Sequence, residues 1–176
     1  MLPVRANRVP HIAVRLAGEA DFEGWRHAAR ALALHGIAPD RITWLTGSES
    51  ADLLAGEAVD AASLQPPQSP GTSPLTVSRR FLDMAGSAIC HSAPDRFTLL
   101  YSLLWRQQRD RGLIDIASDV EVMRLRALDK AVRRDVHKMR AFVRFRMIED
   151  DAGERHVAWF EPDHHIVARN APFFVR

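Results

Sequence analysis

The chain has 176 residues, 47% of them hydrophobic and 26% charged, which is an ordinary globular composition with length enough for one well-packed domain. Its formal charge of +2 is small, so any nucleic-acid affinity must come from local clustering, and its single cysteine, Cys90, excludes a disulfide framework or a Cys-rich zinc or iron–sulfur site built from this chain alone. No apolar run approaches a membrane span and no signal-peptide core opens the chain, so a cytoplasmic protein without membrane contact is expected.

Residues 11 to 16 alternate as a strand, with Ile12, Val14 and Leu16 on one side. Asp21 is placed to cap a helix whose stripe is Phe22, Trp25, Ala29 and Leu32, and Gly36 followed by Pro39 is its stop signal. Residues 41 to 45 then read as a second strand, giving a strand–helix–strand unit that pairs in parallel if both strands share a sheet. This helix starts without a glycine-rich turn, so neither the dinucleotide fingerprint nor the P-loop is present.

One helical turn is expected around Leu53 and Leu54. The composition then shifts to Ser, Gln, Gly and Pro between about 61 and 74, where too little apolar surface exists to bury. The organisation this implies is a small α/β unit at 1–58, a flexible loop or linker at 59–75, and a helical plus hairpin unit at 76–176, which together form either one domain or two.

In the second unit a helix is expected over 77–91, with Phe81, Met84, Ala88 and Ile89 inward. A second, opened by Pro94 and Asp95 and ended by Gly112, is apolar almost all round through Phe97, Leu100, Tyr101, Leu104 and Trp105. Ser118 and Glu121 then spell a capping box for a long helix whose buried stripe is Leu125, Leu128, Val132, Val136 and Met139. From Arg140 the period changes to two, with Val143, Phe145 and Met147 alternating with Arg144 and Arg146. Residues 149–155 turn the chain into a return strand at His156–Phe160. The fold class is therefore α+β: a small strand–helix–strand unit, a helical core with one long basic helix, and an antiparallel hairpin expected to join the sheet.

The charge of this last region is uneven. Between Val122 and Ile148 basic residues far outnumber acids, and between Glu149 and Asp163 the balance reverses. Lys130, Arg133, Arg134, His137, Lys138, Arg140, Arg144 and Arg146 are the candidate nucleic-acid-binding residues, because cations at helical spacing displace counterions from phosphates. The bland alternative is a solvated face paired with Glu149, Asp150 and Asp151. Arg144 and Arg146 are expected on one strand face beside His156. The tryptophans Trp25, Trp44, Trp105 and Trp159 sit on apolar stripes and read as core.

The Glu161-Pro162-Asp163-His164-His165 segment is the second candidate. Glu161, Asp163 and His164 are candidate ligands for a divalent metal, and Asp163 and His164 candidate catalytic residues, with His137 and His156 as further imidazoles. Adjacent histidines point apart in helix or strand, so His164 and His165 do not grip one ion together. The structural alternative is that Asp163 caps a short helical turn.

The stretches DFEGWRHAARAL, DRFTLLYSLLWR, KAVRRDVHKMRAFVRFR and VAWFEPDHHIVARNAPFF together resemble a bacterial family labelled "probable DNA metabolism protein". Its members carry a domain of unknown function, found alone beside a DNA-repair-linked radical-SAM protein or fused ahead of a UdgX-type module of the uracil-DNA glycosylase superfamily. The likeness covers most of the chain outside about 56–75. In that family the double phenylalanine is followed by further segments that this chain lacks, so a C-terminally truncated chain is expected, consistent with the apolar Phe173 and Phe174 so near its end. The glycosylase module and its cluster-binding cysteines are also absent, so uracil excision does not carry over.

Three function classes follow. The first, favoured, is an accessory DNA-metabolism or DNA-repair module that binds nucleic acid or docks a glycosylase-superfamily or radical-SAM partner. The second is a metal-assisted, nucleic-acid-directed enzyme working through residues 161–165; the third is a truncated structural fragment. No activity is expected from this chain alone, and no cofactor beyond a divalent metal.

Overall fold

The structure, a computed structural model, describes residues 11–47, 58–67, 75–150 (for Asp150 the backbone alone) and 153–175. The turn expected around Leu53 and Leu54, and residues 68–74 of the Ser/Pro-rich stretch, lie outside them.

Strand β1 (Ile12–Leu16) leads into helix α1 (Phe22–Leu34) and strand β2 (Ile42–Thr46), the expected strand–helix–strand unit, and the two strands pair in parallel with Ile12 opposite Ile42 and Leu16 opposite Thr46. A short strand β3 (Val59–Asp60) adds to the other side of β1, giving a three-stranded parallel sheet in the order β2-β1-β3. β1 is covered on both faces. Val14 and Leu16 enter the main core while Ala13 packs with Leu45 behind the sheet, the two-sided burial that a parallel strand requires.

Asp21 caps α1 as its position implies, its carboxylate accepting from the Gly24 backbone N–H at 2.8 Å, and Gly36, at φ 71°, takes the left-handed turn that ends it. Helix α2 (Arg79–Ala88) is capped by Ser78 and buries Phe81, Met84 and Ala88. Helix α3 (Arg96–Gln107) begins after Pro94, with Asp95 at its N-cap, and ends ahead of Gly112. It buries eight residues, among them Phe97, Leu100, Tyr101 and Leu104, and is the most enclosed helix.

Helix α4 (Val120–Phe142) differs from expectation at both ends. Its cap is Asp119, whose carboxylate accepts from the backbone N–H groups of Glu121 and Val122, so the Ser118–Glu121 box does not form. The Glu121 carboxylate is taken instead by Ser102 and Arg106 on α3. At the other end the helix continues through Arg140 to Phe142, and strand pairing starts only at Arg146. On the buried side Val122, Leu125, Leu128 and Val132 are essentially inaccessible, each contributing about 2 kcal/mol of burial, with Val136 and Met139 packed at the margin.

Strands β4 (Arg146–Asp150) and β5 (Gly153–Val157) form a separate two-stranded antiparallel sheet, so the hairpin does not join the parallel one. The return strand begins at Gly153 and ends at Val157, earlier than the expected 156–160. Helix α5 (Val167–Phe174) follows. One contiguous apolar core runs from Val14 through Trp25, Phe81 and Leu100 to Leu128 and Ile166. An aromatic series lines it: Phe22, Trp25, Trp44, Tyr101 and Trp105 meet ring to ring, and the Tyr101 hydroxyl donates to the Ile37 carbonyl at 2.6 Å. Burial pushes that phenol well above its ordinary range.

Candidate nucleic-acid interface

Helical spacing sorts the cations of α4. The buried residues at 122, 125, 128 and 132 leave 127, 130, 134, 137 and 141 on the far side, and all of these are exposed. Lys130, Arg134 and His137 thus share one outward stripe and have no hydrogen-bond or ion-pair partner among the described residues. The other cations are engaged. Arg133 Nε lies 2.8 Å from Asp129, which holds the guanidinium's proton even more firmly. Lys138 Nζ is 3.3 Å from Asp163. Arg124 pairs with Asp95, and Arg126 turns in to donate to the Ile114 carbonyl. Arg140 donates to Asn170 at 2.7 Å and lies over the Phe173 ring at 4.7 Å. Arg144 donates to the carbonyls of Ala141 and Val143, closing the end of α4.

The hairpin register puts Arg146, Arg155 and Asp150 on one face and Glu149, Glu154 and His156 on the other. Arg146 stands opposite Val157 and Ile148 opposite Arg155, while Met147 faces His156 and Glu149 faces Glu154 on the reverse side. His156 is therefore not beside Arg144 and Arg146, as regular alternation from residue 140 had implied. Arg146 has no partner among the described residues, and Glu149 pairs with none of the basic residues of α4; Asp151 and the Asp150 side chain lie outside the description. Together Phe142, Arg144, Arg146, Ile148, Val157 and Trp159 line an open cleft of about 480 Å³. Trp159, expected in the core, is 85% exposed at its edge, whereas Trp25 is fully buried.

The Glu161–His165 segment does different work from what its composition suggests. Asp163 caps no helix; its carboxylate meets Lys138. The His164 backbone N–H donates to the Asp135 carboxylate at 3.0 Å, its Nδ1 lies 3.1 Å from the Ser92 hydroxyl, and its ring stands 4.0 Å from that of His91. His165 turns the other way, its N–H donating to the Cys90 carbonyl at 2.8 Å and its Nε2 lying 3.8 Å from Glu19. Among the described residues no group of three or more His, Cys, Asp or Glu is placed to hold a metal ion, so Glu161, Asp163 and His164 do not converge as a ligand set. His137 and His156 share no hydrogen bond, ion pair or ring contact with this segment among the described residues.

Sequence reasoning missed the polar groups that seat this segment. Arg96, nearly enclosed, donates to the carbonyls of Ile89, Ala93 and Glu19 and to the Glu19 carboxylate at 2.5 Å. Asp135 and Asn170 are buried as well. Hydrogen bonding from Thr46, outweighing the effect of burial, together with Arg96, holds the Glu19 carboxyl below its usual value. Burial, reinforced by Arg96, lowers His165, and burial with His164 alongside lowers His91. The one available signal was a charged residue lying where an apolar stripe predicts a buried position: Asp135 beside Val132 and Val136, and Arg96 beside Phe97.

Residues 94–176 match the model of a domain of unknown function, DUF4130. The match takes in α3, α4, the hairpin and α5, and leaves the parallel sheet, α1 and α2 ahead of it. No curated protein and no solved structure matches the chain.

Proposed function

We propose that this protein is an accessory nucleic-acid-binding module of DNA metabolism, engaging phosphates through Lys130, Arg134 and His137 on α4 and Arg146 on the hairpin. The observation that carries the reading is that these four are each exposed and have no ion-pair or hydrogen-bond partner among the described residues, while the remaining cations of the region are spent on internal contacts. Free cations release condensed counterions when they meet a phosphate backbone, whereas paired ones must first break their own contacts. The DNA-repair context, with a glycosylase-superfamily or radical-SAM partner, rests on the family resemblance of the KAVRRDVHKMRAFVRFR and WFEPDHH stretches.

In this reading residues 161–165 fasten α5 and the chain after the hairpin to the turn between α2 and α3. Asp163 and His164 are already committed to Lys138 and Ser92. The test is a titration of fluorescently labelled single-stranded and duplex DNA with the wild-type chain and with Lys130→Ala/Arg134→Ala. The double variant, altered only on exposed positions, weakens binding several-fold and keeps the wild-type melting temperature. Unchanged affinity in the variant would remove the reading.

A further inference from the structure

The cleft beside the hairpin has chemistry that the α4 stripe lacks. Phosphate binding requires only cations, yet here Arg146 and Arg144 flank an apolar floor of Ile148 and Val157, with the aromatic faces of Phe142 and Trp159 at the rim. Phe142 is 69% exposed and Trp159 85%, so two large rings stand in water at the place where the helix hands over to the hairpin. Neither ring has an aromatic partner among the described residues, in contrast to Phe145 and Phe174, which pack edge to face at 5.5 Å. Glu149 and Glu154 fall on the reverse face, while the cleft's side of the hairpin carries Arg146, Ile148, Arg155 and Val157 with Asp150 at the far end of β4, so strand alternation gives this side two cations, one acid and an apolar middle.

A ligand that satisfies this surface carries negative charge and a flat ring on the same short repeat. We infer that the cleft takes an unstacked base of single-stranded nucleic acid, with Trp159 as the stacking platform and Arg146 on the adjoining phosphate. This names the substrate form for the nucleic-acid reading and rests on it. Duplex DNA keeps its base faces stacked inside and presents phosphates alone, so it engages the α4 stripe without the ring. Single strands offer every base face, and aromatic stacking accepts any of them, so the site discriminates strandedness and tolerates sequence. The cleft opens at the C-terminal end of α4, where Phe142 lines it.

The experiment compares wild type with Trp159→Ala and with Lys130→Ala/Arg134→Ala, using a short oligothymidine and a duplex of matched length at low salt. Stacking on one ring gives a roughly 10-fold loss of oligothymidine affinity in Trp159→Ala, with duplex affinity unchanged. Tryptophan emission supplies a second readout, because Trp159 is the most exposed of the four indoles. Oligothymidine quenches the wild type, and the quench disappears in Trp159→Phe. Wild-type oligothymidine affinity in Trp159→Ala, or an equal loss for both probes, overturns the base site while the double variant's loss upholds the phosphate surface. Absence of binding to either probe by the wild-type chain overturns both.

Discussion

Replacing Arg96 by Met removes the guanidinium that joins the turn between β1 and α1 to the turn between α2 and α3. Its side chain is 4% exposed, and methionine preserves much of the aliphatic volume while stranding the carbonyls of Ile89 and Glu19 and leaving that of Ala93 only the residue 96 backbone N–H. Glu19, half exposed, regains water and adds little. Two acceptors left without a donor and a third kept only by the long Arg96 backbone N–H bond, partly relieved by relaxation, amount to about 3–5 kcal/mol, the range for breaking one side of a buried pair. At roughly 2–4 °C per kcal/mol for a chain of this size, Tm falls by about 10 °C, followed by circular dichroism at neutral pH. Arg96→Lys, which keeps the charge but spans fewer acceptors, falls between. A Tm within about 3 °C of wild type in Arg96→Met would show that the guanidinium does not hold this junction.

The cap of α4 separates two neighbouring candidates: Asp119→Ala costs about 2 kcal/mol through loss of the cap and of the Arg106 pair, whereas Ser118→Ala stays within about 0.5 kcal/mol, as denaturant unfolding will record. The pH dependence follows from His91 and His165, whose folded-state values lie below the ordinary imidazole value. The unfolded chain then takes up protons first as pH falls through about 6.5, so stability drops on acidification and is recovered above it. In His91→Gln/His165→Gln the slope of Tm against pH between neutral and mildly acidic conditions flattens; an unchanged slope would contradict the assignment. Glu19 and Asp119, both lowered, contribute a separate loss at more acid pH, below the ordinary carboxyl value.

Local patterns in the sequence identify most of the elements. The α1 stripe and its Asp21 cap, the parallel β1–β2 pair, the all-round apolar α3 and the buried seam of α4 each follow from spacing within a dozen residues. Misreadings arise where a residue chooses between local and distant partners. Ser118 and Asp119 are both competent caps, and Ser102 and Arg106, brought across from α3, draw Glu121 away from a capping box. Alternation from residue 143 mimics a strand before pairing begins, because Arg144 is closing the helix end instead of lying on a sheet. Trp159 reads as core because it follows an apolar alternation, yet β5 has ended by then and no third strand covers that face among the described residues.

The candidate site divides in the same way. Which α4 cations face outward is visible from the helical period, but which of them are free is not, since Asp129, Asp163 and Asn170 reach them from other turns and elements. The acidic turn after β4 looks in sequence like a neutralising partner, and the strand pleat turns Glu149 and Glu154 to the opposite face. The imidazole-rich 161–165 segment looks like a metal site because its composition is right; its side chains diverge toward Lys138, Ser92 and Glu19.

The central claim, an unneutralised cationic surface on α4 and the hairpin, is tested most directly by the salt dependence of binding in wild type and in Lys130→Ala/Arg134→Ala/Arg146→Ala. Three phosphate contacts predict a slope of log K against log salt of about −2 for single strands and about −3 for duplex, collapsing toward zero in the triple variant. A wild-type slope near zero, or one that the triple variant leaves intact, would contradict the account.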